Sequence, residues 1–322
     1  MKSIIIKETG NYSVLKLVET EIPKPKKDQV LIKQTAIGVN FFDICFRRGQ
    51  FPLSKLPATL GMEGCGVIEA LGEEVVDYKI GDRVAYATGG IGSYTEKRLI
   101  SQTNIIDIPK DITDQEVAAC LFKGMTAHAL LHRVFLAKRV KRIMIHSVAG
   151  GVGSIMCTLA KHLGLEVIGT VGDDRKIPFA NSLGCDLVVN YRTQDLVAEV
   201  KKFTKNEMVG AVYDGIGKDT ISQSLQSLWP TGICINHGQS SGEITEVDHR
   251  YMMLNSLYLA RPLVFHYKYN RPEFVLTAKE TFAAIRKKII RPQIKAYDFK
   301  DVARAHQALE SKASIGSVIL KL

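Results

Sequence analysis

The chain has 322 residues, 46% of them hydrophobic and 24% charged, an ordinary mixture for a soluble globular protein of about two domains. No apolar run is long enough to cross a bilayer, and the apolar part of Met1–Glu8 is too short for a signal peptide, so no membrane partner and a cytoplasmic location are expected. The net charge is +10, but the basic residues are dispersed and their dense runs short, which describes a surface attractive to anionic ligands better than a nucleic-acid site. The six cysteines (45, 65, 120, 157, 185 and 234) form no C-x-x-C pair and are expected to be reduced thiols, with Cys157 in core packing.

In chain order, the first ~120 residues are predicted to be β-rich, with short apolar stretches between turn signals. The clearest strands are Ile4–Ile6, Gln29–Lys33, Gly64–Ala70 and Asp82–Tyr86, with Pro23, Pro25, Pro52 and Pro57 marking loops. No long helical period occurs there. Helical patterning starts near Asp114, with a cap at Thr113 or Asp114, and a second helix is predicted from Gly124 to Val134.

From Arg142 strands and helices alternate. Strands are predicted at Ile143–His146, Glu166–Val171, Asp186–Asn190, Gly210–Tyr213 and Gly232–Asn236. Helices fall between them, at 153–163, 176–183, 193–204 and 219–228. Such alternation implies a parallel sheet covered on both faces, with a ligand at the C-terminal ends of the strands. Two more helices, 276–290 and Val302–Ser311, precede a terminal strand at Ser317–Leu322.

The most informative segment is Arg142–Gly153, a buried strand running into the turn Val148-Ala149-Gly150-Gly151-Val152-Gly153 and then an apolar helix. This is the opening unit of a dinucleotide-binding fold, in which unpaired N–H groups at the helix start can bind a pyrophosphate. Gly150 allows close backbone approach and Gly153 lets the helix pack on the strand. Val148 stands where the first glycine of G-x-G-x-x-G would be.

The runs Gly38–Asp43, Gly61–Val67 and Gly81–Val84 resemble the GroES-like domain of medium-chain dehydrogenases/reductases. Leu121–Thr126, Ala149–Gly153, Asn190–Arg192, Val212–Asp214, Gly238–Gly242 and the stretch from Ala305 to Gly316 resemble the zinc-free NADPH:quinone oxidoreductase (zeta-crystallin-like) branch. The resemblance runs in one order along nearly the whole chain. It implies an α/β fold in which a GroES-like β-rich substrate domain, 1–122 completed by 266–322, accompanies a doubly wound Rossmann domain, 123–265.

Zinc enzymes of this superfamily have Cys where this chain has Asn40, and His where it has Met62; Asn and Met do not make a zinc site of the usual type, and the four closely spaced cysteines of a structural zinc lobe are lacking. Without a Lewis acid the substrate must already be electron-poor, as quinones and α,β-unsaturated carbonyls are. For the cofactor, the tip of the second strand is Val171-Gly172, without the carboxylate that holds an NAD ribose. Arg175, Lys176, Tyr191 and Arg192 could surround a 2′-phosphate, and the resemblance assigns that contact to Lys176 and Tyr191. NADPH is therefore expected over NADH, although Asp173 and Asp174 would repel phosphate unless turned outward.

By the same resemblance, Asn40 and Thr126 position the nicotinamide or substrate. Asn40, Cys45 and Phe51 line the substrate pocket, where related bacterial enzymes have tyrosines at the positions of Cys45 and Phe51, leaving no obvious proton donor. His237, Gly238 and Gln239 lie against the nicotinamide ribose, with Arg261 and Lys312 near the cofactor. Local readings compete: a turn role for Asn40, helix-end hydrogen bonding for Thr126, packing for Cys45, a plain loop histidine at 237, and an Asp43–Arg47 pair holding its loop. The expected activity is metal-independent reduction of quinones by NADPH. An enone or enoyl-thioester reductase is the alternative enzyme, and a non-catalytic NADPH- or RNA-binding protein the alternative of another class. A homodimer is expected through the edge of the parallel sheet, burying the apolar segments Tyr251–Ala260 and Arg261–Tyr267.

Overall fold

The computed structural model describes residues 1–267 and 270–322; Lys268 and Tyr269, inside the returning segment 266–322, lie outside the described residues. The chain divides into two compact units. One combines Met1–Met125 with Tyr269–Lys288 and Pro292–Leu322, and the other consists of Thr126–Lys268 with Ile289–Arg291.

The first unit is built on antiparallel pairing. The long strand Gln29–Val39 is its spine, pairing with Gly64–Leu71, with Lys97–Ser101 and with the terminal strand Ser317–Lys321. Ile294–Asp298 then pairs in parallel with that terminal strand, so the end of the chain completes a sheet begun by its start. The core here joins Ile4, Ile6, Ile37, Val39 and Leu60 to Phe299, Val302, Ala305 and Leu320. One helix, Phe41–Arg47, was not anticipated from periodicity. It has only seven residues, too few to display an amphipathic repeat, and is held by burial of Asp43, Ile44, Cys45 and Arg47.

The predicted break at Gly124 does not occur. One helix runs Asp114–Ala129 and continues as a wider turn through Leu130–Val134, so the expected domain boundary at 122 falls inside a helix. Gly124 serves packing instead: a Cβ there would lie 2.5 Å from Cγ2 of Thr281, on the helix Arg271–Arg286. The glycine permits close approach of two helices whose contact is remote in sequence.

Among the described residues the second unit holds six parallel strands. Their spatial order is Leu187–Asn190, Glu166–Val171, Arg142–Ile145, Val209–Asp214, Leu228–Asn236 and Tyr258–Ala260. Numbered along the chain this is 3-2-1-4-5-6, the doubly wound order with its switch point beside Arg142–Ile145. Strand interiors such as Val209–Asp214 are buried at every position, because helices cover both faces.

Candidate active site

The glycine turn sits at that switch point. Ser147 takes a left-handed backbone with φ 53°, and the helix Gly151–His162 begins after Gly150. A Cβ at Gly153 would stand 2.4 Å from the Ser147 carbonyl oxygen and 2.9 Å from Val148 Cα, so only glycine lets this helix start so close to the strand. Val148 and Ala149 are buried beneath the turn, whereas Gly150, Gly151 and Val152 are half-exposed along its crest. The first N–H groups of the helix have no acceptor four residues back, which is the arrangement an anionic oxygen can complete.

One strand over, Gly172 closes the end of Glu166–Val171. A Cβ at Gly172 would lie 3.1 Å from the Tyr191 hydroxyl and 3.3 Å from Arg192 Nε, so these two side chains stand against it. Lys176 is half-buried next to them; burial holds its pKa below the ordinary value, with Asp173 opposing that shift and Arg175 and Arg192 adding to it. The two neighbouring acids are both engaged. Asp173 forms a fork with Arg175, which pulls its carboxyl down to about 2. Asp174 accepts from Asn190 Nδ2 at 2.7 Å. Arg175, one of three candidate cations for this rim, is thus committed to Asp173 and largely exposed.

Behind the rim lies a buried polar network that sequence reading did not assemble. His146 Nδ1 meets Thr170 Oγ1 at 2.8 Å and its Nε2 meets Ser224 Oγ at 3.0 Å. Ser224 and Thr220 donate to Asp214, which also accepts the N–H groups of Ile216 and Gly217. Burial would raise the Asp214 carboxyl, but His146 and these donors more than offset it, and its pKa lies below the usual range. Asn236 Nδ2 reaches the carbonyls of Asp214 (3.2 Å) and Gly238 (2.8 Å), lacing the fourth and fifth strand ends together. His237 follows, half-buried against Gly215, and burial lowers its pKa to about 4, so it is neutral at pH 7. Arg261, just past the edge strand, donates to Gln239 Oε1 at 3.2 Å. The second unit also contains Thr126, buried on the helix Asp114–Ala129.

In the first unit Asn40 begins the helix Phe41–Arg47. Its backbone N–H donates to Asp43 Oδ2 at 2.9 Å, and its carboxamide Nδ2 donates to Glu63 Oε1 at 2.9 Å. Glu63 is a fully buried carboxylate that also accepts from Lys123 Nζ (2.9 Å) and from the Phe122 N–H (2.9 Å). Gly38 makes room for it: a Cβ there would lie 2.1 Å from Glu63 Oε1. Asn40 is therefore more than a turn asparagine, since its amide is fixed by a buried ion pair. Glu63 and Lys123 were missed as site residues, and the signal available was a charged residue inside each of two otherwise apolar runs, Gly61–Val67 and Leu121–Thr126.

Asp43 and Arg47 do not pair directly. Asp43 Oδ2 accepts from Tyr94 Oη at 2.9 Å, Tyr94 Oη meets His306 Nε2 at 2.8 Å, and His306 Nδ1 meets Arg47 at 3.1 Å. Arg47 completes its shell with the Gly10 carbonyl and Glu310, both too far along the chain for local reasoning to reach. Desolvation raises the Asp43 carboxyl to about 7 against the pull of Asn40 and Tyr94, and lowers His306 to about 3.

Cys45 is buried and its thiol is pushed up to about 11 by desolvation, which leaves it protonated and weakly nucleophilic at neutral pH. Phe51 packs with Phe42 and Phe46 at ring-centroid distances of 4.7 and 5.7 Å. Lys312 is half-buried in a left-handed turn, φ 56°, before the terminal strand. Among the described residues no group of three or more His, Cys, Asp or Glu side chains could hold a metal ion. At the position of Asn40 and Met62 the available groups are an amide tied to Glu63 and a buried thioether, a donor set unsuited to zinc.

Comparison with known proteins adds lineage to this geometry. Residues 26–110 match the alcohol dehydrogenase GroES-like domain family, and residues 151–277 match the family described as zinc-binding dehydrogenase. The chain is 37% identical over 310 residues to 2-haloacrylate reductase of a Burkholderia species, covering 94% of this chain and 93% of that protein. It is 36% identical over 315 residues to quinone oxidoreductase 1 of Escherichia coli strain K12, covering 97% and 96%. The crystal structure of Escherichia coli quinone oxidoreductase complexed with NADPH superposes with a TM-score of 0.96 at 35% identity, covering all of both chains.

Proposed function

Because the chain belongs to the quinone oxidoreductase family of medium-chain dehydrogenases/reductases, we propose that it reduces quinones with NADPH and without a metal ion. The observation that carries the reading is the rim at Gly172. Tyr191, Arg192 and Lys176 cluster there, while Asp173 and Asp174 are engaged by Arg175 and Asn190. An NAD-type ribose has no free carboxylate to meet, and a 2′-phosphate has a hydroxyl and two cations. Ala149, Gly150, Gly151, Val152 and Gly153 would hold the pyrophosphate by backbone N–H groups, and His237, Gly238, Gln239 and Arg261 the nicotinamide side. Lys312 and Thr126 are proposed to complete the cofactor contacts.

NADPH, when bound, supplies the hydride. The protein's part is orientation and exclusion of water. Asn40, held by Glu63 and Lys123, is proposed to present its remaining amide groups to the nicotinamide or to a substrate oxygen. Cys45 and the Phe42–Phe46–Phe51 ring cluster would form an apolar wall rather than a source of protons or a thiol trap. The identity with 2-haloacrylate reductase favours activated alkenes as a second substrate class.

The test is NADPH oxidation by purified protein with a simple 1,4-quinone, after exhaustive chelation, beside an NADH control and a panel of activated alkenes. Undiminished quinone turnover with NADPH preferred is the expected result. Stoichiometric zinc with chelator-sensitive turnover, or NADH used equally well, would overturn the corresponding part. Turnover confined to the alkenes would move the protein to the second class.

We also infer a homodimer in the cytoplasm. The strand Tyr258–Ala260 is the edge of the parallel sheet, and Met253, Leu254, Tyr258 and Leu263 around it are exposed. Leu257, by contrast, is 8% exposed and Leu259 packs beside it in the protomer's own core, so neither is a clean interface probe. Tyr258→Glu is expected to give a monomer in sedimentation equilibrium at micromolar protein; a monomeric wild type would sink the inference.

A further inference from the structure

Cys157 lies on the helix that starts at the glycine turn, and Cys185 lies just before the third strand, Leu187–Asn190. Their Sγ atoms are 3.4 Å apart, and Cys157 Sγ also points at the Leu183 carbonyl at 3.7 Å. The surroundings keep the two thiols together. Lys161, one turn along the same helix, pairs with Asp186 at 2.7 Å, so an ion pair spans the same two elements. Gly169, on the neighbouring strand, leaves the space the second thiol occupies: a Cβ there would lie 2.8 Å from Cys185 Sγ. Cys157 is fully buried, while Cys185 is only half-buried.

We propose that this pair is an oxidative modification site, which a hydroperoxide converts to an intrachain disulfide that weakens NADPH binding. Cys185 Sγ, as thiolate, attacks a peroxide oxygen; the O–O bond breaks, a sulfenic acid forms and the departing hydroxide takes up a proton to leave as water. Cys157 Sγ then attacks the sulfenyl sulfur, the S–S bond forms, the S–O bond breaks and a second water leaves with the remaining thiol proton. Two thiols lose two electrons and one peroxide gains them.

The geometry links this chemistry to the cofactor. Cys157 lies four residues beyond Gly153 on the helix that begins at the glycine turn, and the 28-residue separation between the cysteines contains Gly172 and Lys176, while Tyr191 follows the end of the strand that Cys185 leads into. Bond formation must draw the sulfurs from 3.4 Å to about 2.05 Å, a shift of roughly an ångström shared by the helix whose first turn is the proposed pyrophosphate site. This consequence for NADPH rests on the cofactor reading above; the crosslink itself does not.

The experiment treats the full chain with equimolar hydrogen peroxide and maps its peptides without reduction. A Cys157–Cys185 crosslink is expected, reversed by dithiothreitol and absent from Cys157→Ser and Cys185→Ser. The Cys157→Ser protein should instead accumulate a sulfenic acid at Cys185, trapped by a dimedone probe. Unreacted thiols in the folded wild type, or Cys185 joined between chains, would overturn the site. In crosslinked protein the KM for NADPH should rise about threefold or more, and reduction should restore it. An unchanged KM at complete crosslinking would overturn the cofactor consequence while the mass data stand on their own.

Discussion

The two units solve the placement of functional groups in opposite ways. In the parallel-sheet unit the proposed pyrophosphate contacts are backbone, from a glycine turn and the first N–H groups of a helix, and side chains enter at the strand-end rim. In the antiparallel unit the buried region around the short helix is a set of side-chain links: Asn40–Glu63–Lys123 and Asp43–Tyr94–His306–Arg47–Glu310. Backbone sites are robust to the identity of most neighbours and sensitive to a single added Cβ. Side-chain networks are sensitive to any member, because a buried charge left without its partner is costly.

That contrast is sharpest at Lys123. Lys123→Ala leaves Glu63 charged and buried, and should lower unfolding free energy by about 3–5 kcal/mol, measured by urea titration; a loss below 1 kcal/mol would mean that the pair is dispensable. Gly153→Ala tests the other style. Its methyl would meet Ser147 O at 2.4 Å, so NADPH affinity should fall about tenfold or more, ~1.4 kcal/mol, with unfolding affected less than in Lys123→Ala. Equal NADPH binding to this variant in a calorimeter would remove the close-packing argument. At Lys176 the effect should be selective: Lys176→Ala is expected to weaken NADPH by about 1–3 kcal/mol, as for a charge-assisted bond, and to leave NADH nearly unaltered. Equal losses for both cofactors would count against a 2′-phosphate contact.

The smallest expected effect is on pH dependence, because two members of one network oppose each other. Asp43 has a folded pKa of about 7 against an ordinary 3.8, so the folded state binds the extra proton and stability falls as pH rises between those values. His306 has a folded pKa of about 3 against 6.5, so the unfolded state binds the extra proton and stability rises across that window. The two slopes largely cancel in the intact protein. Asp43→Asn should expose a stability that climbs from pH 3 to 6.5, and His306→Gln one that declines from about pH 4 to 7. Denaturation midpoints across that range decide it; parallel profiles for the two variants would refute the opposition.

What could be read from the chain alone follows the same division. The alternation beyond Arg142, the strand–glycine–helix turn and the missing carboxylate at Val171-Gly172 are local patterns, set by side-chain period and backbone freedom, and they locate the parallel sheet and its rim. The Gly124 misreading shows the limit: a glycine inside a helical pattern looks like a stop until Thr281 is seen against it. Asp43 and Arg47, four apart on one helix, looked like partners, yet each is claimed by residues 37 to 263 positions away. Asp173 and Asp174 looked hostile to phosphate until Arg175 and Asn190 were seen to hold them. Local sequence determines where backbone can turn, extend or approach closely, because those choices cost or gain energy within a few residues. Which charges neutralise one another is decided only by tertiary structure, since burial makes an unpaired charge expensive and the partner that relieves it can come from anywhere in the chain.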